Sequence, residues 1–165
     1  MKKRSKIILA IGTTIITISL AVFSPILFGN RDLNEEEQKI ANSIFDDQLN
    51  YEKIRINQGG PLTWIYPAVT IGYVISFPNE SYDFNNTRDQ ALLLHELTHV
   101  WQYENIGWIY ALRSLYEEIS QKDAYVVHYN ETKDFLDYDL EEQAEIVAEY
   151  FLHGTKEYEK YIESL

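Results

Sequence analysis

The first pattern along the chain is an uncharged run over residues 7–29, 23 positions long, behind Lys2, Lys3, Arg4 and Lys6. A run of that length can span a bilayer as a helix, with its basic flank held in the cytoplasm. It also has the layout of a secretory signal. Residues 7–18 are the apolar region, and Ser19 and Ala21 supply small residues around a cut. No Ala-x-Ala follows, and apolar residues continue through Val22, Phe23, Ile26, Leu27 and Phe28. Residues 1–29 are therefore expected to be a signal peptide or transmembrane anchor, and residues 30–165 the functional domain. Either way the domain is expected outside the cytoplasm, membrane-anchored or secreted.

Beyond residues 31–34, a polar break, the pattern becomes helical. Asn34 with Glu37 makes a capping box, and Ile40, Ala41, Ile44 and Phe45 form a stripe at helical spacing. Ile54-Arg55-Ile56 alternates briefly before the turn residues Gln58-Gly59-Gly60-Pro61. Val69, Ile71, Tyr73, Ile75 and Phe77 alternate with Thr70, Gly72, Val74 and Ser76, which predicts one strand between Pro67 and Pro78. Residues 79–86 are polar and predict a loop. Thr87 with Gln90 then predicts a capped helix to about Tyr103, with Gly107 just past its end. A second helix is expected over residues 109–122, with Ile109, Leu112, Tyr116 and Ile119 on one side. Residues 125–137 fit neither period. Asp139 and Glu142 cap a further helix that turns Leu140, Ala144, Val147, Ala148 and Phe151 inward and stops at Gly154. The predicted fold is a small α+β domain. A short antiparallel sheet precedes a helical core, and a hydrophobic helix stands at the N-terminus.

Composition narrows the function. The chain lacks cysteine, which excludes disulfides, thiolate metal sites and thiol nucleophiles. Its formal charge is −12, and setting aside the four basic residues of the leader leaves ten basic against 26 acidic residues, a net of −16. A domain so acidic repels phosphates, so no nucleic-acid partner is expected.

The sharpest chemical pattern is His95-Glu96-Leu97-Thr98-His99. Residues four apart stack on one helix face, so two imidazoles there can grip one ion. Glu96 lies about 100° round the helix from His95, placing its carboxylate to serve as a base instead of a ligand. With four His and 17 Glu, roughly 0.7% of shuffled chains would show this spacing by chance. The spacing therefore needs a cause. The flanking Ala91-Leu92-Leu93-Leu94 and Val100-Trp101 predict a buried helix, where two histidines and a glutamate need partners.

A catalytic zinc takes three protein ligands and keeps one position open. The long spacing with Gly at three and His at six beyond the second His fails, because Gln102 and Asn105 stand there. His128 and His153 remain, but the later helix offers the better donors: Glu141, Glu142, Glu145 and Glu149. Glu142 has a capping role. Glu141 and Glu145 share a face beside Ala144 and Ala148, whose small side chains let another helix approach. One of the pair can bind the ion while the other holds a histidine's far nitrogen.

His95-Glu96-Leu97-Thr98-His99-Val100-Trp101-Gln102 resembles the HELTHVxQ helix of small bacterial zincin-like metallopeptidases, including those associated with Rhs and Vgr elements. Tyr138-Asp139-Leu140-Glu141-Glu142-Gln143-Ala144-Glu145 resembles their second motif and the Glu-x-x-Ala-Asp motif of gluzincins. The resemblance covers residues 34–154 and is most specific in these two motifs. It implies His95, His99 and Glu141 as zinc ligands, Glu96 as the base, and Glu145 as the support of a histidine, with Glu in place of the more usual Asp. It also implies a strand edge above the active helix, for which residues 69–77 are the candidate, where a peptide substrate can add by main-chain hydrogen bonds. The expected activity is zinc-dependent peptide hydrolysis, with Tyr125, His128 or Tyr129 as donor to the developing oxyanion. The rival expectation is a zincin-like binding module at the cell envelope that carries a structural metal.

Overall fold

The computed structural model of the protein describes residues 31–59, 63, 68–78, 82–107, 109–110 and 127–165. The expected leader helix, nearly all of the helix expected over residues 109–122, and Tyr125 lie outside the described residues. Among the described residues no helix is long and apolar enough to cross a membrane.

Helix α1 (Glu35–Phe45) begins as its sequence requires. The Asn34 side chain accepts from the N–H groups of Glu36 and Glu37, and the Glu37 carboxylate accepts from the Asn34 N–H, closing the capping box. Glu37 is buried, and the Arg31 guanidinium grips both of its oxygens at 2.7 and 2.8 Å. The Tyr82 hydroxyl donates to the same carboxylate. Arg31 was read as part of a polar break, yet its backbone bridges that of Ile56. One residue thus ties the start of the described chain to both the sheet and α1.

The sheet has three strands, β1 (Arg55–Gln58), β2 (Val69–Ile71) and β3 (Val74–Phe77), in the order β1-β3-β2. The segment predicted as one strand over residues 69–77 is instead a hairpin. Gly72 and Tyr73 form its two-residue turn, and Gly72 takes φ +61, the positive value that a first central residue needs in such turns. Alternation concealed the turn, because a two-residue turn leaves the period of two unbroken. The expectation of an antiparallel sheet needs a second correction. β2 pairs antiparallel with β3, but β1 pairs parallel with it, with Ile56 opposite Ile75. The sheet is therefore mixed. β3 lies in its centre and is buried at all four positions, so the polar-looking face of Val74 and Ser76 is interior too.

Helix α2 (Thr87–Ile106) is the longest described element, and every residue from Leu93 to Gln102 is buried. Its N-cap is Asn86, which accepts from the Arg88 N–H, rather than Thr87; Gln90 instead donates to the Phe84 carbonyl. An Asn one position earlier offers the same oxygen to the first turn, so the predicted register slipped by one residue. Gly107 follows at φ +72, as expected of a helix stop.

Helix α3 (Leu140–His153) carries the predicted Asp139–Glu142 capping box and ends at Gly154 in the left-handed region, φ +60. Ala144 and Ala148 are buried on α3, which packs closely along α2. Helix α4 (Lys156–Ile162), which the sequence reading missed, brings Tyr158 and Tyr161 onto the core. That core runs from Phe45, Ile54, Ile56, Ile75 and Phe77 through Leu93, Leu94 and Leu97 to Ile146 and Val147.

Burial opposes the charge on Glu37, but Arg31, the Asn34 N–H and the Tyr82 hydroxyl outweigh it and hold the carboxyl below its ordinary range. Glu37 therefore contributes stability that is complete above the ordinary value of about 4.3 and is lost as pH falls through the depressed folded value. Glu37→Gln should cost about 1–2 kcal/mol at neutral pH, discounted for the partial exposure of Arg31. Urea denaturation over a pH series checks this: the gap between variant and parent should close in acid.

Candidate metal centre

His95 and His99 stand one turn apart on α2, with ring centroids 5.0 Å apart and planes at 82°. The close approach of α3 sets Glu141, in its first turn, across from both. A single oxygen, Glu141 Oε2, lies 3.3 Å from His95 Nε2 and 3.4 Å from His99 Nε2. All three residues are buried, and their candidate ligand atoms lie within 4.8 Å of one another. A tetrahedral zinc with bonds of roughly 2.0–2.1 Å would separate its ligand atoms by about 3.3–3.4 Å. The two distances from Glu141 already have that spacing, and these three side chains could hold a metal ion.

The far nitrogens fix which atoms face the centre. His95 Nδ1 lies 3.4 Å from Glu145 Oε2, and a carboxylate there accepts the Nδ1 proton. His99 Nδ1 lies 2.9 Å from Gln102 Oε1. Both imidazoles so held turn Nε2 toward Glu141, and with the Nε2 proton gone each has the form that binds metal. Burial works against charge on His95, but the carboxylates of Glu141, Glu145 and Glu96 overcome it and push its pKa up to about 10. Burial likewise opposes the charge on Glu141, and the two imidazoles still hold that carboxyl far below its ordinary range. Both displacements have one meaning: the centre draws positive charge.

Glu96 points elsewhere. Its Oε2 accepts from the Thr70 hydroxyl at 2.6 Å, and that hydroxyl also lies 3.3 Å from the Glu96 carbonyl oxygen. Thr70 sits on β2, at the edge of the sheet beside α2, so the edge strand anchors the carboxylate directly. On the other flank, the Tyr110 ring lies 5.7 Å from that of His99, tilted by 41°, and is buried.

The structure brings together His95, His99, Glu141 and Glu145, with Glu96 held at their side. Of the suggested oxyanion donors, Tyr125 lies outside the described residues, and the described contacts of His128 and Tyr129 are made elsewhere. The backbone N–H of His128 donates to Glu142, and the residue is exposed. The Tyr129 ring belongs to a cluster with Tyr158 and Tyr161 under α4. His153 is exposed at the end of α3. Sequence reasoning missed Thr70 and Gln102. Gln102 was accessible through its spacing of three from His99, which puts it on the same helix face. Thr70 carried no such signal, since its partner is 26 residues away.

Comparison with known proteins adds a relationship. The family described as the eCIS core domain matches residues 66–107, which hold β2, β3 and the whole of α2. The type VI secretion system spike protein VgrG2b of Pseudomonas aeruginosa is 28% identical over 137 residues, covering 76% of this chain. The chain spans only 13% of that relative's length. The solved effector domain of Pseudomonas aeruginosa VgrG2b shares the fold, with a TM-score of 0.61, 24% identity and 92% of each chain covered. These matches agree with the Vgr-associated part of the resemblance drawn from the motifs.

Thr70→Val keeps the shape of the side chain but removes the donor from a buried carboxylate. The expected cost is about 1.5–3 kcal/mol of stability in chemical denaturation, since the bond is charge-assisted. Thr70→Ser should restore most of it. A Val variant as stable as the parent would show that the hydroxyl does not hold Glu96.

Proposed function

We propose that the protein is a zinc-dependent peptidase that acts outside the cytoplasm. The observation that carries this reading is the one carboxylate oxygen of Glu141 set 3.3 and 3.4 Å from two imidazole nitrogens. His95, His99 and Glu141 would hold the ion and leave its fourth position to the substrate side. Zinc, when bound there, supplies Lewis acidity, polarising a carbonyl and making water acidic enough to lose a proton near neutral pH.

The chain's own residues supply the rest. Glu96 is a carboxylate fixed beside the ligands but not among them. Thr70 occupies its Oε2, and Oε1 has no hydrogen-bond partner among the described residues. Oε1 would take a proton from an attacking water and pass it to a leaving amine. Glu145 and Gln102 orient the imidazoles and take no part in bond-making. The strand that carries Thr70, β2, is an edge strand among the described strands, and an extended peptide could add to such an edge as substrate. The likeness to the effector domain of a secretion-spike protein supports a role as an exported effector-type domain, as does the basic-then-apolar leader.

Glu96→Gln is the direct test. The variant should retain about one zinc per chain while peptide cleavage falls by roughly 10²–10⁴-fold. Unchanged turnover would remove Glu96 as base. Zinc bound without cleavage of any peptide by the parent protein would favour a binding module with a structural metal.

Metal analysis tests the two acids of α3 separately. Glu141→Ala should abolish stoichiometric zinc binding, whereas Glu145→Ala should weaken it about 10–100-fold. The opposite ranking would exchange their roles.

A further inference from the structure

Behind His99 runs a chain of hydrogen bonds whose direction is fixed at its far end. Gln143 Nε2 donates to the Tyr138 carbonyl at 2.8 Å. A backbone carbonyl can only accept, so the Gln143 amide cannot be turned the other way without losing that bond. Its Oε1 therefore faces Gln102, whose Nε2 donates to it at 3.0 Å and to the Leu140 carbonyl at 2.9 Å. Both protons of the Gln102 amide are then in use. Its Oε1 is left facing His99 Nδ1 at 2.9 Å, as an acceptor. Both glutamines are buried, Gln102 completely.

We infer that Gln102 and Gln143 form an amide relay that sets the tautomer and orientation of His99, using the backbone at the start of α3 as its reference. Gln102 and Gln143 are positioning residues in this arrangement. The inference rests on the metal-centre reading but needs no peptidase activity. The carbonyls that anchor the relay belong to Tyr138 and Leu140, the latter adjoining Glu141 in sequence. The turn that presents the carboxylate ligand thereby also orients an imidazole ligand on the other helix. If α3 shifted along α2, Glu141 and the acceptor of His99 would move together.

The test is zinc affinity, measured by competition with a chromophoric chelator, together with hydrogen exchange of the His99 Nδ1 proton in the zinc-loaded protein by NMR. Gln102→Leu should raise the zinc dissociation constant about 10–100-fold and speed the exchange of that proton. Gln102→Glu keeps an acceptor toward His99 but replaces both N–H donors with an oxygen facing the Leu140 carbonyl and Gln143 Oε1, so it should not recover the affinity, and full recovery would overturn the relay. Gln143→Leu touches neither imidazole, yet it should move both readouts in the same direction by a smaller factor. It also carries the test alone should Gln102→Leu fail to fold. Wild-type affinity in Gln102→Leu, or unchanged proton exchange in a folded Gln143→Leu, would overturn the relay. Absence of zinc binding by the parent protein would remove the metal centre itself, and the relay with it.

Discussion

The arrangement depends on a charge problem at the contact between α2 and α3. Glu141 presents an oxygen to two imidazole nitrogens in a place with little solvent. With both far nitrogens protonated toward acceptors, three lone-pair groups face one another. In a buried setting such an array is costly unless positive charge lies among them. A proton on His95 is the smallest remedy, and the upward pull on its pKa reflects it. A divalent cation is the fuller one, because it satisfies all three groups at once. Much else around the centre follows: the small Ala144 and Ala148 that let the helices close, the Asp139 cap that starts α3 in register, and the acceptors behind each histidine.

What the sequence revealed divides by range. His95, Glu96 and His99 were legible because their relation is set by the helical repeat alone. The caps at Asn34 and Asp139 were legible for the same reason, since box and cap lie three residues apart. Glu141 needed a choice among four acids, and the resemblance to known motifs made that choice where periodicity left two open. The hairpin was misread because Gly72 and Tyr73 preserve alternation, and the parallel pairing of β1 with β3 leaves no local trace. Thr70 was invisible for a deeper reason. Its role exists only once β2 is folded against α2, and nothing in the residues around it marks the carboxylate it will meet.

The two histidines are also backed unequally, by a carboxylate behind His95 and a neutral amide behind His99, and electrostatics gives a reason. Glu96, Glu141 and Glu145 already place three negative charges around the centre, one more than a divalent ion neutralises. A fourth carboxylate behind His99 would sit among like charges in the buried part of the helix pair, where each raises the cost of ionising the others. Glu145, by contrast, is the more exposed of the two α3 acids that meet His95, so water shares its charge. An amide delivers the acceptor that His99 requires without the charge, provided something keeps its oxygen turned inward. Backbone carbonyls, which have no alternative polarity, are the most dependable means of doing that. Burial thus decides the chemistry of each support: charge where solvent reaches, directed dipoles where it does not.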